Sequence, residues 1–309
     1  MLQDATMQTH YDYLVTGGTG LIGSTFIKSL PAGSTVLVLT RQKHPKRLDK
    51  VTANLKLISN LNDISDDTLI DHVINLAGEP IVDRPWTESR KQILRSSRIG
   101  VTEQLADLSA RLAKPFKTLV SGSAIGYYGS DNGTQCSETS PRGSDFAASL
   151  CSGWEQAATT IRSERRILLR ISIVLSGDGG MLAKLYPSFI LGAGSVIGDG
   201  KQTMSWIHIS DLVELIHQAI NDQSMEGAFN AVAPINTTNQ EFSRVLAQNL
   251  RRPLLLKMPT IVTKWIFGQR SDLLLGNQDV VSDKLQALSY SFKYPEIHDA
   301  LSQIYKHKR

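Results

Sequence analysis

Cysteine is scarce in this chain: Cys136 and Cys151 are the only two in 309 residues. They form neither the C-x-x-C spacing of a redox pair nor a metal-ligand spacing, and so few cysteines fit a reducing compartment. Long apolar runs are missing too. No stretch approaches the roughly 18 residues that cross a bilayer, and the first ten residues have no apolar core of signal-peptide length. These absences predict a cytoplasmic protein without a membrane partner. A strong charge excess is also lacking: 33 Lys and Arg stand against 29 Asp and Glu, a net +4. So small a surplus does not suggest nucleic-acid binding. The densest basic cluster, Lys43, Lys46 and Arg47, reads as a solvated loop, and Lys306 to Arg309 as a basic tail. No His, Cys, Asp and Glu spacing predicts a metal site.

What is present is ordinary for a globular protein, with 41% hydrophobic and 20% charged residues. The apolar pattern alternates between strand and helix. Strands are expected at Tyr11–Thr16, Thr35–Thr40, Lys56–Ser59, His72–Leu76, Thr118–Ser121 and Ile167–Leu175. Helices are expected from Leu21 to Leu30, from a start at Ser65-Asp66-Asp67, over Glu88–Ala113 and over Phe146–Ile161. Thr35–Thr40 is almost wholly apolar, as in a parallel sheet covered on both faces. The alternation therefore predicts βαβ units: an α/β, Rossmann-type, doubly wound parallel sheet over residues 11–175. From about Gly177 the pattern loosens into a smaller C-terminal α/β lobe, residues 176–309, with segments around 205–233 returning to the first domain. Within that lobe Ser210-Asp211 is expected to cap a helix to Ile220, and Thr238 with Glu241 forms a capping-box pattern.

The first strand runs into Gly17-x-x-Gly20-x-x-Gly23, with Leu21 and Ile22 opening the helix. The first glycine permits a tight turn, the second lets backbone approach a pyrophosphate, and the third lets helix and strand pack closely. The helix N-terminus offers free N–H groups to the phosphates. At the end of the second strand an acidic residue would favour NAD. The chain has Thr40-Arg41 there instead, and a guanidinium suits the 2′-phosphate of NADP(H).

The glycine motif, Asn75-Leu76-Ala77-Gly78 and Ser121-Gly122-Ser123-Ala124 together resemble the extended short-chain dehydrogenase/reductase superfamily. More closely, the chain is similar to that superfamily's atypical epimerase-like branch, some of whose members were once labelled cell-division inhibitors. Trp86–Glu88, Ser97–Ile99, Met204–His208, Asn230–Pro234 and the C-terminal Arg251–Tyr294 carry this closer likeness. The resemblance implies a dinucleotide on the first domain, a small-molecule substrate in a cleft closed by the second, and a homodimer. By position it implies that Leu76, Ala77 and Gly78 lie against the adenosine side, that Arg98 reaches the cofactor, and that Ile173 lies near the nicotinamide.

Enzymes of that superfamily pair Ser or Thr with a Tyr and a Lys four residues later. Ser123 matches the serine position. Cys151 stands in place of the tyrosine and Glu155 in place of the lysine. A carboxylate raises a neighbouring pKa where a lysine lowers it, so the usual proton relay is absent. Tyr127 and Cys151 are the candidate proton donors, with Tyr128 beside them and His208 as a further acid–base candidate. Two readings follow: an NADP(H)-dependent, epimerase-like oxidoreductase acting on a hydroxylated or carbonyl substrate, or a non-catalytic NADP-binding regulator, connected to division as the old label suggests.

Overall fold

Side chains on a strand alternate between the two faces of a sheet, and here both faces are apolar. Val15, Val36, Val38, Ile74 and Val120 point into one core, and their chain neighbours Leu14, Leu37, Val73 and Leu119 point into another. A sheet with two apolar faces must be covered twice. The computed structural model describes residues 9–130 and 133–306; the last three residues of the basic tail lie outside them.

The first half holds β1 (His10–Thr16), α1 (Leu21–Ser29), β2 (Thr35–Leu39), β3 (Asn54–Ile58), β4 (Leu69–Asn75), α2 (Glu88–Arg95), α3 (Val101–Arg111), β5 (Phe116–Ala124), α4 (Phe146–Thr159), β6 (Ser163–Ile171) and β7 (Ile173–Leu175). The second holds α5 (Gly180–Ile190), β8 (Ser195–Ile197), β9 (Thr203–Met204), β10 (Trp206–His208), α6 (Ile209–Asn221), β11 (Gly227–Ala231), β12 (Thr237–Thr238), α7 (Asn239–Asn249), β13 (Leu256–Met258), α8 (Thr260–Phe267), α9 (Asp272–Leu275), α10 (Asp283–Ala287) and α11 (Ile297–Tyr305). The main sheet has seven strands in the order β11-β6-β5-β4-β1-β2-β3. Its pairings are all parallel. Strand order reverses between β1 and β4, which opens a crevice at their C-terminal ends.

Phe26 and Ile27 of α1 and Leu212, Leu215 and Ile216 of α6 cover one face; Leu105 and Leu108 of α3 and Ala158 of α4 cover the other. Beyond the sheet, Trp206, Phe242, Val245, Leu246, Leu301 and Ile304 build a separate core. The pairs β7–β10, β9–β12 and β8–β13 lie around it.

Three expectations need correction. No helix starts at Ser65: a 3-10 turn at Leu61–Asp63 and further turns connect β3 to β4. Asp66 instead pairs with Arg111 at the end of α3. The Glu88–Ala113 helix is interrupted by a π-turn over Ser96–Gly100, which divides α2 from α3. The cap of α6 is His208, whose ring Nδ1 accepts from the Ser210 N–H at 3.1 Å, and Asp211 lies buried inside the helix. The Thr238 cap on α7 is as expected, its hydroxyl accepting from the Glu241 N–H at 3.1 Å.

Candidate functional site

Where β1 ends, the chain turns at Gly17, whose φ of +68° is left-handed. A Cβ there would lie 2.4 Å from the Leu76 carbonyl oxygen, so glycine is required twice over. At Gly23 a Cβ would lie 2.4 Å from the Gly17 oxygen, and its absence lets α1 pack onto the turn. Gly20 is the N-cap of α1, and no side chain caps that helix. Its first-turn N–H groups and the positive end of its dipole are therefore offered outward.

A cavity of about 1220 Å³ opens at this turn. Of the residues expected to bind a dinucleotide, Gly17, Gly20, Thr40, Arg41, Leu76, Ala77 and Gly78 lie on its wall. Ser59 and Asn60 after β3, Glu79, and Gln104 and Asp107 of α3 also line it. Sequence reasoning missed these because they converge through the sheet order and not through any local motif. Arg41 is 92% exposed, and its guanidinium stands 3.4 Å from the Glu79 carboxylate, which is also 3.5 Å from Arg90.

Leu21, Ile22, Gly23, Arg98 and Ile173 are not on this wall. Leu21 and Ile22 pack against the core below it. Arg98, in the π-turn, donates to the Glu79 carbonyl at 3.0 Å and lies over the Trp154 ring, so it braces the Gly78–Glu79 loop. Ile173 pairs with Trp206 across β7 and β10. A buried network ties the strand ends together. Thr16 donates to Asn75 at 2.7 Å, and Asn75 donates to Thr102 at 2.8 Å and to Ser121 at 3.1 Å.

The second constellation lies at the end of β5. The Ser123 hydroxyl donates to Glu155 Oε1 at 2.6 Å. Glu155 in turn receives two bonds from Arg170, Nε to Oε1 at 2.8 Å and Nη2 to Oε2 at 2.9 Å. All three residues are buried. The position expected to carry a lysine thus carries an anion, and a cation on β6 answers it. Burial opposes charge on Arg170, but the Glu155 bonds outweigh it and hold the guanidinium above its ordinary range. Arg170 also donates to the Tyr128 hydroxyl at 2.9 Å, and Tyr128 donates to Asn230 at 2.7 Å.

This arrangement sorts the acid–base candidates. Burial, with Glu155 adding to it, pushes the Cys151 thiol up to about 12, so the thiol stays protonated and is no nucleophile at neutral pH. Burial also pushes Tyr128 up to about 12. His208 is driven down to about 4 by burial and bonds Gln303 at 3.0 Å, so it is a neutral cap and not an acid–base group. Tyr127 is different: its ring lies under the Arg170 guanidinium at 3.5 Å, and among the described residues its hydroxyl has no partner.

One group with ligand-like spacing, His10, Asp12 and Asp71, lies at the far end of the sheet. Its carboxylates are already engaged by Thr35 and Lys117. Among the described residues no helix is long and apolar enough to cross a membrane.

The comparisons agree with this architecture. Residues 13–231 match the model of the NAD dependent epimerase/dehydratase family, and residues 258–304 match a domain of unknown function, DUF1731. The epimerase family protein SDR39U1 homolog, chloroplastic, of Arabidopsis thaliana is 36% identical over 298 residues, covering 94% of this chain and 85% of the relative. The epimerase family protein SDR39U1 of Mus musculus is 35% identical, covering 94% and 98%. The crystal structure of human SDR39U1 with NADPH superposes with a TM-score of 0.84 at 31% identity, covering 96% of this chain and 99% of that one. Parallel-sheet order, glycine turn and similarity over nearly the whole chain converge: the chain belongs to the NAD dependent epimerase/dehydratase family.

Proposed function

We propose that this chain binds NADP(H) across the C-terminal ends of β1, β2 and β4 and exchanges hydride with a small hydroxylated or carbonyl substrate. The observation that carries this reading is the uncapped N-terminus of α1 opening onto a cavity whose rim bears Arg41. The donor set fits the ligand. Backbone N–H groups beside Gly17 and Gly20 suit a diphosphate, and the exposed Arg41 guanidinium, exchanging its Glu79 contact, suits a 2′-phosphate. The NADPH in the human relative's structure supports the same choice. When bound, the nicotinamide supplies or accepts the hydride. With its own proton held by Glu155, the Ser123 oxygen accepts from the substrate hydroxyl, and Tyr127 passes the proton to or from the reacting oxygen. Cys151 is a neutral packing group. We assign the substrate cleft to the junction of residues 11–175 with residues 176–309.

The test is calorimetry on folded protein freed of endogenous ligand. NADPH should bind more tightly than NADH. Arg41→Glu should cut NADPH affinity by roughly 10-fold or more, as losing a charge-assisted contact implies, and leave NADH nearly unchanged. No heat with NADPH in the wild type would overturn the reading. The second reading, a non-catalytic NADP-binding regulator, is favoured by the buried Glu155–Arg170 pair standing where the relay lysine is expected. Ser123→Ala and Tyr127→Phe separate the two. If both keep cellular function while Arg41→Glu loses it, binding matters and hydride transfer does not.

A further inference from the structure

Helix α8 is inside out. In an ordinary surface helix the apolar stripe faces the core. Here Ile261, Val262, Trp265 and Ile266 are exposed, with Ile261 at 81% and Trp265 at 86%. At 100° per residue these four share one arc of about 140°. The opposite side holds the buried Thr263 and the half-buried Phe267. The preceding segment continues the theme, with Leu255 83% exposed and Leu256 beside it. A contiguous apolar face of this kind marks a contact site.

Charge says what it contacts. From Phe242 to Ser271 the sequence holds six basic residues and no acidic one. Arg244 pairs with Glu241 and Arg270 is buried. The other four, Arg251, Arg252, Lys257 and Lys264, are exposed, and no ion pair or side-chain hydrogen bond engages them among the described residues. In a chain of net charge only +4, four unpaired cations are therefore gathered in the segment that carries the apolar face. A second copy of the chain fits poorly, because a two-fold contact sets these cations against themselves. A tryptophan and aliphatic side chains flanked by Lys and Arg match the boundary layer of an anionic bilayer, where indole and basic groups both find partners. The expectation of no membrane partner rested on the lack of a spanning run, and a helix lying in the interface needs none.

We propose that α8 and the segment before it, residues 251–267, seat this protein on anionic lipid surfaces. The proposal is independent of the cofactor reading. The test uses the full chain and vesicles of phosphatidylcholine alone or mixed equally with phosphatidylglycerol. The wild type should sediment with the mixed vesicles, not with neutral ones, and be released by salt. Its tryptophan emission should shift to the blue on binding, and Trp265→Phe should abolish that shift, since Trp154 and Trp206 are buried and Trp86 is half-buried against Phe146. Trp265→Glu should abolish sedimentation, and neutralising Arg251 or Lys257 to Gln should weaken it about 5-fold each. All three sites are on the surface, so circular dichroism should be unchanged; if Trp265→Glu fails to fold, Trp265→Ser replaces it. Three results overturn the proposal: no sedimentation with mixed vesicles, equal sedimentation with neutral ones, or binding indifferent to position 265. Self-association lost in Trp265→Glu, without lipid binding, assigns the face to a second copy instead. Equally tight binding of polyglutamate, indifferent to position 265, assigns the cations to an acidic protein.

Discussion

Glu155 and Arg170 exchange two hydrogen bonds in a site where both side chains are about nine-tenths buried. A pair like this contributes little over an apolar substitute, but removing one partner leaves a naked buried charge. The family's usual lysine therefore cannot simply be restored. Glu155→Lys sets two cations together and also deprives Ser123 of its acceptor. The variant should lose about 3–5 kcal/mol of stability, read by urea unfolding. Glu155→Met with Arg170→Met, which removes both charges, should recover most of that loss; if it does not, the stranded buried charge is the wrong explanation. His208 offers a pH test with a defined sign. Its ordinary value is 6.5 and burial lowers it to about 4 in the folded protein. The unfolded chain takes up the proton first, so this contribution is complete above pH 6.5 and is lost as pH falls toward 4. The loss is on the order of 3 kcal/mol. His208→Asn keeps a capping side chain for α6 and removes the titration. Its stability should be flatter than the wild type's between pH 6.5 and 4 in the same urea experiment.

At the scale of elements, the β1–α1 turn is where the expected glycines and the cavity meet, with Gly17 and Gly20 on the wall and Gly23 packing the helix beneath it. Gly23→Ala drives a methyl to 2.4 Å from the Gly17 oxygen, and backbone on both sides leaves no flexible end to yield. An overpacked position of this kind costs about 1–3 kcal/mol. NADPH affinity should fall with it, because α1 must move away from the turn that presents its N–H groups. Calorimetry and thermal unfolding together check both effects, and unchanged NADPH affinity would show that the turn does not hold the diphosphate. The strands were legible for the same local reason as the turn: period-two burial and apolar runs are written along the chain. The π-turn at Ser96–Gly100 was not. It has no Pro and departs from an uninterrupted helix by one hydrogen-bond step. Arg98 sits in it and bonds the Glu79 carbonyl, off the cavity wall, a placement set by a backbone detail that no local pattern announces. The Arg170 partner of Glu155 was hidden for another reason. The two meet only because β5 and β6 pair in register, Ser123 opposite Arg170, and no spacing rule relates a helix residue to a strand residue fifteen positions on.

For the whole molecule, the boundary expected near residue 175 came with segments around 205–233 returning to the first domain, and strand pairing and packing do run across that boundary. Strand β6 pairs with β11, from Gly227 opposite Ile167 to Ala231 opposite Ile171. Helix α6 supplies Leu212, Leu215 and Ile216 to the same core as Val15, Phe26 and Val120. Buried Arg165 donates to the carbonyls of Ala219 and Ile220 and also to that of Met225, all beyond the boundary. Other bonds cross in both directions: Cys136 N–H to the Asp279 oxygen at 2.8 Å, Val281 N–H to the Cys136 oxygen at 2.9 Å, and Arg270 to the Val82 oxygen at 2.6 Å. A fragment ending at residue 175 would keep the glycine turn but lose one helical cover of its sheet, the partner of β6 and every backbone acceptor of Arg165. An uncovered apolar face and an unpartnered buried cation are each enough to unfold a marginally stable domain. The fragment should therefore lack near-ultraviolet dichroism and bind no NADPH, although all the predicted phosphate-contacting residues are present. The intact chain should unfold in one cooperative step. Variants that keep either Trp154 or Trp206 place one reporter on each side of the boundary, and their denaturant midpoints should coincide. Two separate midpoints would mean that β11 and α6 are not part of the first unit's stability, and that the dinucleotide site stands on residues 11–175 alone.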